Sequence, residues 1–292
     1  MSKENIFKSI CWDITSKCND QCGFCYRNAN NIELNLDANK VILKKLIDFG
    51  VDKISFVGGE PLLYKDLFEL LKYGQEYSAG KIIFSITTNG ILLTDIHNGE
   101  LCVNKKRIFE LVNLVEWITF SLDAPSSMLQ FEMGRNKHHF KRVLLLMKYI
   151  SDFFPKIKIK VNTIISKVNY VYLEDLYRIL DGCNITRWKL FRFLPSRGNA
   201  LLNKNVYWID EDKFLDVTEK LKKRNNDKIK ITINDYDDFD NSYITISSAG
   251  MLIVYNNEYE EKVDLVHDSV EEIVKYINLR KHNRNRADFK IQ

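Results

Sequence analysis

The chain has 292 residues, 45% of them hydrophobic and 28% charged, enough to bury a full core as one large domain or as one domain with an extension. Its net charge of +4 is small and comes with an acidic stretch at 235–240, so charge gives no case for nucleic-acid binding, and no apolar run approaches the roughly 18 residues that cross a bilayer. Six cysteines behind a polar N-terminus without a secretory leader point to reduced thiols and metal chemistry in the cytoplasm rather than to disulfides.

In chain order, short β-rich runs alternate with amphipathic helical patterns. Strands are expected near 9–15, 52–57, 82–88, 117–122, 157–164 and 187–193, with helices near 38–49, 64–78, 105–114, 138–153 and 171–181. Asp37 ahead of an apolar-periodic run that stops at Gly50 reads as a capped and terminated helix, and Gly58, Gly59, Glu60 and Pro61 punctuate the turn after the second strand. The rhythm implies parallel strands, hence an α/β open sheet or barrel. Past residue 200 it breaks into a helix near 210–224, short strands near 229–234, 243–247 and 251–255, and a last helix near 269–280. The expected division is therefore a βα core at 1–200 with a small α+β cap at 201–292.

Cys18, Cys22 and Cys25 fall in one loop just after the first strand, where three thiolates can converge on a metal centre while backbone amides hydrogen-bond to the sulfurs. Three cysteines leave one iron of a four-iron, four-sulfur cluster open to an outside ligand. The competing reading is structural zinc, which normally takes four protein ligands, and no nearby histidine or fourth cysteine supplies one.

The loop CNDQCGFCY, the GGEP turn at 58–61 and the alternating βα units together resemble the radical SAM superfamily over roughly residues 8–200. The resemblance implies a partial (β/α)6 TIM-like barrel, a 4Fe-4S cluster on Cys18, Cys22 and Cys25, and S-adenosyl-L-methionine on the open iron. Its reductive cleavage would give a 5′-deoxyadenosyl radical that abstracts hydrogen from a substrate, with an electron donor such as flavodoxin or ferredoxin as partner. By position, Gly58, Gly59 and Glu60 would bind the methionine amino group, and Tyr26 would lie near the adenine through its backbone. Asn89 and Ser121, at the ends of the third and fourth strands, would contact the ribose or methionine moieties, and Arg135 would pair with the methionine carboxylate. The blander account of the last three is turn chemistry and a solvated arginine.

Strand parity speaks to the substrate. Parallel strands buried on both faces should read as continuous apolar runs, yet each strand here is polar at every second residue. The polar set is Lys53 and Ser55; Ser85, Thr87 and Asn89; Thr119, Ser121 and Asp123; Lys158, Lys160 and Asn162; and Arg187 and Lys189. If helices cover the apolar side, these residues face the lumen of an incomplete barrel, and several like charges there call for a small anionic substrate. The alternative is that each lysine snorkels to solvent or pairs with a distant carboxylate. The pattern resembles one branch of the superfamily, the viperins and their prokaryotic relatives, through LysIleSerPhe at 53–56, LysValAsnThrIleIle at 160–165 and ArgTrpLysLeuPhe at 187–191. That resemblance implies dehydration of a nucleoside triphosphate to a 3′-deoxy-3′,4′-didehydro nucleotide and a role in antiviral defence. Lys53, Ser55, Lys160, Asn162, Arg187 and Lys189 would then bind the substrate. Ser55 and Tyr26 depart from the branch, which usually has Asn and Phe there.

Two rival functions are weighed. A ribosomal-peptide maturase or epimerase shares the same core, but residues 184–292 contain no cysteine for an auxiliary cluster. A non-catalytic iron–sulfur sensor would leave the GGEP turn and the polar strand faces without a role. His138 and His139 read as a solvated pair at a helix start, and Phe191, Phe193, Tyr207 and Trp208 read as core. Tyr243 or Tyr255 could close over a nucleotide base.

Overall fold

The computed structural model describes residues 8–27, 31–225, 228–236, 244–254 and 261–278. Its elements in chain order are β1 (Ser9–Thr15), α1 (Leu36–Asp48), β2 (Lys53–Gly58), α2 (Leu67–Tyr77), β3 (Ile83–Thr88), β4 (Thr94–His97), β5 (Glu100–Val103), α3 (Lys105–Val112), β6 (Trp117–Ser121), α4 (Ser127–Glu132), α5 (His139–Phe153), β7 (Lys158–Ile165) and α6 (Leu173–Asp181). They continue with β8 (Arg187–Arg192), α7 (Gly198–Leu202), α8 (Lys204–Tyr207), α9 (Glu211–Arg224), β9 (Lys230–Asn234), β10 (Ile244–Ile246), β11 (Met251–Val254), β12 (Glu261–Asp264) and α10 (Val270–Asn278). The βα alternation read from the periodicity is present through β8.

Two compact units divide the chain: residues 1–17, 30–86 and 237–292 form the first, and residues 18–29 and 87–236 the second. Residues 201–292 are thus shared between the units. In the first, strand order is β12-β11-β10-β1-β2-β3. Strand β1 is parallel to both β2 and β10, β2 is parallel to β3, and β10 to β12 run antiparallel. Trp12, Phe56 and Phe84 are fully buried side by side on β1, β2 and β3, Trp12 stacked on Phe56 and Phe84 tilted against it, with ring centroids 5.6 and 5.7 Å apart. Each such side chain contributes about 2–3 kcal/mol of burial. The cap of helix α1 lies two residues before the expected one: Asn35, not Asp37, accepts the N–H of Ala38, while Asp37 sits in the first turn where the helix dipole favours a carboxylate.

The second unit carries β6-β7-β8-β9, parallel throughout. Ile118, Phe120, Ile159, Val161, Thr163, Trp188 and Leu190 are buried on one side of these strands, and Trp188 Nε1 donates to Thr163 Oγ1 at 2.9 Å, so the indole is satisfied inside the core. Between β3 and α3 lies the hairpin β4–β5, turned by Asn98 and Gly99 at φ 51° and 82°. That hairpin, the short helices α4, α7 and α8, and β12 were not expected from the sequence. Among the described residues no helix is long and apolar enough to cross a membrane.

Candidate active site

The cysteine loop belongs to the second unit and is held almost wholly through its backbone. Gly23 N donates to Met133 O at 3.1 Å, Ala200 N to Cys25 O at 2.9 Å, and Cys25 N to Cys22 O at 3.2 Å. Side-chain amides complete the clamp: Asn199 Nδ2 donates to Cys22 O at 3.2 Å and Asn203 Nδ2 to Gly23 O at 2.9 Å. Tyr207 lies so close that a Cβ on Gly23 would collide with its hydroxyl, so only glycine fits there. Phe24, Met133, Phe193, Ala200 and Tyr207 form one buried cluster with Cys22, which anchors the loop from below. Residues 201–207, read from the sequence as the start of a cap, are therefore, with 198–200, part of the loop's support. Phe193 and Tyr207 are core as expected, whereas Trp208 is 37% exposed.

Behind the loop sits a buried charge network. Arg135 donates through Nε and Nη2 to Asp123 Oδ2 at 3.0 and 2.8 Å, and its Nη1 lies 3.6 Å from Asp20 Oδ2. Its guanidinium also lies 5.1 Å from the Phe24 ring centroid. Burial opposes the arginine's charge, but Cys22, Asp123 and Asp20 outweigh it and hold Arg135 protonated well above its ordinary range. Burial pushes the Cys22 thiol up, with Arg135 pulling in the opposite direction. Asp20 Oδ1 accepts Asn136 N at 2.9 Å, so this carboxylate ties the loop to the segment that follows α4.

Asn89 and Ser121 close their strands through local bonds. Asn89 Oδ1 accepts Ile91 N at 2.9 Å and its Nδ2 donates to Asn19 Oδ1 at 2.8 Å, which links the end of β3 to the cysteine loop. The carbonyl of Ser121 accepts from His139 Nε2 at 2.7 Å. His139 is not the solvated residue expected: it is fully buried, and burial first, then the Arg135 charge, lowers its pKa to about 3. Tyr26 is half exposed, with its carbonyl accepting Arg197 Nε at 3.0 Å.

The GGEP turn belongs to the first unit. Gly59 N donates to Thr15 O and Glu60 N to Lys17 O, both at 2.8 Å, so the turn is laid against the backbone that leads out of β1. A Cβ on Gly59 would collide with the Lys17 carbonyl, which accounts for the glycine. The buried Glu60 carboxylate accepts Leu62 N at 3.2 Å and caps the tight turn at Pro61. On β2, Lys53 lies opposite Ile83 and Ser55 opposite Ser85, whose Oγ donates to Ser55 Oγ at 2.7 Å.

Register arranges the basic residues of the second unit in two rows on one side of its strands. Thr119, Lys160, Arg187 and Lys230 form the first row, and Ser121, Asn162, Lys189 and Thr232 the second. Lys189 is buried, with Nζ 5.0 Å from the Phe191 ring centroid. Arg187 and Lys158 both face the Trp117 ring, at 5.6 and 5.1 Å. On either side of Lys189, Asn162 Oδ1 and Thr232 Oγ1 are buried without a hydrogen-bond partner. A buried acceptor left without a partner costs about 1–3 kcal/mol. Lys230 and Thr232 carried no sequence signal of their own; their place follows only from the pairing of β9 with β8. Tyr243 and Tyr255 lie outside the described residues.

A family model described as the radical SAM superfamily matches residues 12–180. The chain belongs to the radical SAM superfamily. Among curated proteins it is 26% identical over 268 residues to an S-adenosylmethionine-dependent nucleotide dehydratase of Flammeovirga pacifica, covering 88% of this chain and 85% of the relative. It is 27% identical to a protein of the same description from Lacinutrix mariniflava, of which it spans about half, 49%. Among solved structures, Streptococcus suis SuiB bound to S-adenosylmethionine matches with a TM-score of 0.65 at 20% identity, covering 92% of this chain and 65% of that one. The likeness to SuiB is one of fold, and it agrees with the α/β class and partial (β/α)6 arrangement expected from the sequence.

Radical SAM enzymes use a 4Fe-4S cluster and S-adenosylmethionine, and the residues present fit both groups. Three cysteines stand in a loop whose backbone is fixed from two sides, the donor set of a cluster with one open iron. The glycine turn at 58–59 leaves no room for side chains, as a backbone cradle requires.

Proposed function

We propose that this radical SAM enzyme dehydrates a nucleoside triphosphate to a 3′-deoxy-3′,4′-didehydro nucleotide; its curated relatives are named as nucleotide dehydratases. The observation that carries the reading is the pair of rows on β6 to β9, in which Lys160, Arg187 and Lys189 lie beside the unfilled acceptors of Asn162 and Thr232. Cationic side chains paired with neutral acceptors suit a ligand that carries both phosphates and ribose hydroxyls. In this reading Cys18, Cys22 and Cys25 hold the cluster, and Gly58, Gly59, Glu60, Tyr26, Asn89 and Ser121 hold S-adenosylmethionine. Arg135, held by Asp123 and Asp20, pairs with the methionine carboxylate. Bound there, the two groups supply a 5′-deoxyadenosyl radical on reduction. Lys53, Lys160, Arg187 and Lys189 grip the triphosphate, while Ser55, Asn162 and Thr232 orient the sugar so that its 4′-hydrogen is the one removed and the 3′-hydroxyl leaves as water.

The test is anaerobic. Cluster-loaded enzyme is given S-adenosylmethionine, a reductant and each nucleoside triphosphate in turn, and 5′-deoxyadenosine and nucleotide mass are followed together. One nucleotide should stimulate cleavage and lose the mass of a water molecule. If no nucleotide does either, the reading fails, and peptides become the next substrates to try.

A further inference from the structure

On one side the cysteine loop is covered by a single helical layer. Ala200, Asn199, Asn203 and Tyr207 of the α7–α8 segment hold the loop, while Leu201, Leu202, Lys204 and Val206 of the same segment are exposed to solvent. The end of α8 is fixed as well, because Lys167 N donates to Tyr207 O at 3.1 Å.

Beside this layer is an open groove of about 420 Å³, lined by Lys167, Tyr170, Lys204, Trp208, Asp210 and Lys213 among others. Lys213 pairs with Asp210 at 3.0 Å, and Lys204 Nζ stands 5.3 Å from the Trp208 ring centroid. Three ammonium groups against one carboxylate leave the lining cationic. Leu202 is 83% exposed and Val206 54%, and with Trp208 they give the cationic rim an apolar neighbour. An apolar centre with a charged rim is the anatomy of a transient protein interface, with the rim's charge setting the sign of the partner.

The chemistry of the loop says what that partner is. The cluster must receive an electron from outside the chain, and this helical layer is bonded directly to the loop that would hold it. We propose that the outer face of α7–α8, together with the adjoining lysine groove, is the docking face for an acidic flavodoxin-type protein. The anionic flavin hydroquinone of that partner gives up one electron and becomes the neutral semiquinone with no proton transferred, and the cluster passes from its 2+ to its 1+ state. The proposal rests on Cys18, Cys22 and Cys25 as the cluster's ligands and is independent of the nucleotide assignment.

The test uses cluster-loaded enzyme with no nucleotide present. Reduction of the cluster is followed by stopped-flow absorbance, once with a reduced flavodoxin-type protein and once with dithionite, and binding of the oxidised flavodoxin is titrated in parallel. In the K167E/K204E/K213E variant the second-order rate with the protein donor should fall by about tenfold or more at low ionic strength and lose most of its salt dependence. Binding should weaken in step, while iron content and dithionite reduction stay at wild-type values. L202A/V206A should weaken binding with the salt dependence retained. A wild-type rate and affinity for the protein donor in the charge-reversed variant would overturn the proposal. An equal slowing with dithionite would overturn it too, since it would assign these residues to support of the loop. Failure of the cysteine assignment shows earlier, as wild-type protein that takes up no cluster.

Discussion

Replacing Asp123 by asparagine tests whether the buried charge network supports the cysteine loop. Asp123 is 1% exposed; its Oδ2 takes two N–H groups of Arg135 and its Oδ1 accepts Ile164 N at 2.9 Å. Asparagine keeps the size but turns an amide NH2 toward the guanidinium, leaving Arg135 with Asp20 at 3.6 Å as its remaining carboxylate within reach. Breaking a buried pair by disabling one partner costs about 3–5 kcal/mol, and the surviving Asp20 contact puts the expectation at the low end, about 3 kcal/mol. At roughly 2 °C per kcal/mol for a chain of this size, Tm of the cluster-free protein should drop by about 6 °C. The Arg135→Gln and Asp123→Asn pair then forms a double-mutant cycle. Because the single variants each leave a buried group uncompensated, the double variant should be less destabilised than their sum by about 2 kcal/mol in urea titrations. Effects that simply add would refute the coupling and with it the network.

Three further outcomes are expected. His139 is neutral when folded, with its pKa lowered to about 3, and takes a proton near 6.5 when unfolded; stability should therefore fall as pH drops from about 6.5 toward 3, by up to about 1.4 kcal/mol per pH unit. His139→Gln, which keeps a donor for the Ser121 carbonyl, should flatten that slope between pH 7 and pH 5, and an unchanged slope would assign the acid sensitivity elsewhere. Gly23→Ala should collide with Tyr207, cost about 1–3 kcal/mol and lower iron content after reconstitution, with Tyr207→Phe in the same chain restoring part of both; iron content equal to wild type in the single variant contradicts the clamp. Lys160→Ala should raise KM for the nucleotide roughly tenfold while S-adenosylmethionine cleavage without nucleotide is unchanged, and an unaltered KM removes Lys160 from the phosphate site.

Much of this was legible in the sequence because it is carried by residue type and spacing. The cysteine triplet, the GGEP turn and the period-2 polar pattern of β6 to β8 each put a chemical signature into the string itself, and the pairing register then aligned Lys160 with Arg187 and Asn162 with Lys189. The hairpin β4–β5 was missed although Asn98 and Gly99 mark its turn, because its strands of four residues each lack the alternation that draws attention to such a turn. Helices α7 and α8, of five and four residues, are too short to show a helical period, so their role could not be read. Nor could spacing say that Asp20 and Asp123, more than a hundred residues apart, would share one arginine.

The two motif loops differ from the substrate rows in how they are held, and the difference follows from what each must do. The cysteine loop and the GGEP turn are fixed largely by backbone bonds and by glycines where no Cβ fits, with Asp20, Phe24 and Glu60 adding side-chain ties, so their geometry is set before any ligand arrives. The rows on β6 to β9 are fixed by strand register, which places side chains without specifying them; any residue at 160, 162, 187 or 189 keeps its position on that side of the sheet. Cofactor geometry is therefore costly to alter by substitution, whereas the substrate face can change its charge and hydrogen-bonding pattern while the strands beneath it keep their core of Val161, Trp188 and Leu190. Exchanging Lys189 for methionine should for this reason leave the fold within about 1 kcal/mol of wild type by urea titration and still weaken nucleotide binding, because the side chain removed is buried but lies on the face opposite that core. A loss of several kcal/mol in that variant would mean that Lys189 holds the sheet together instead of serving its ligand.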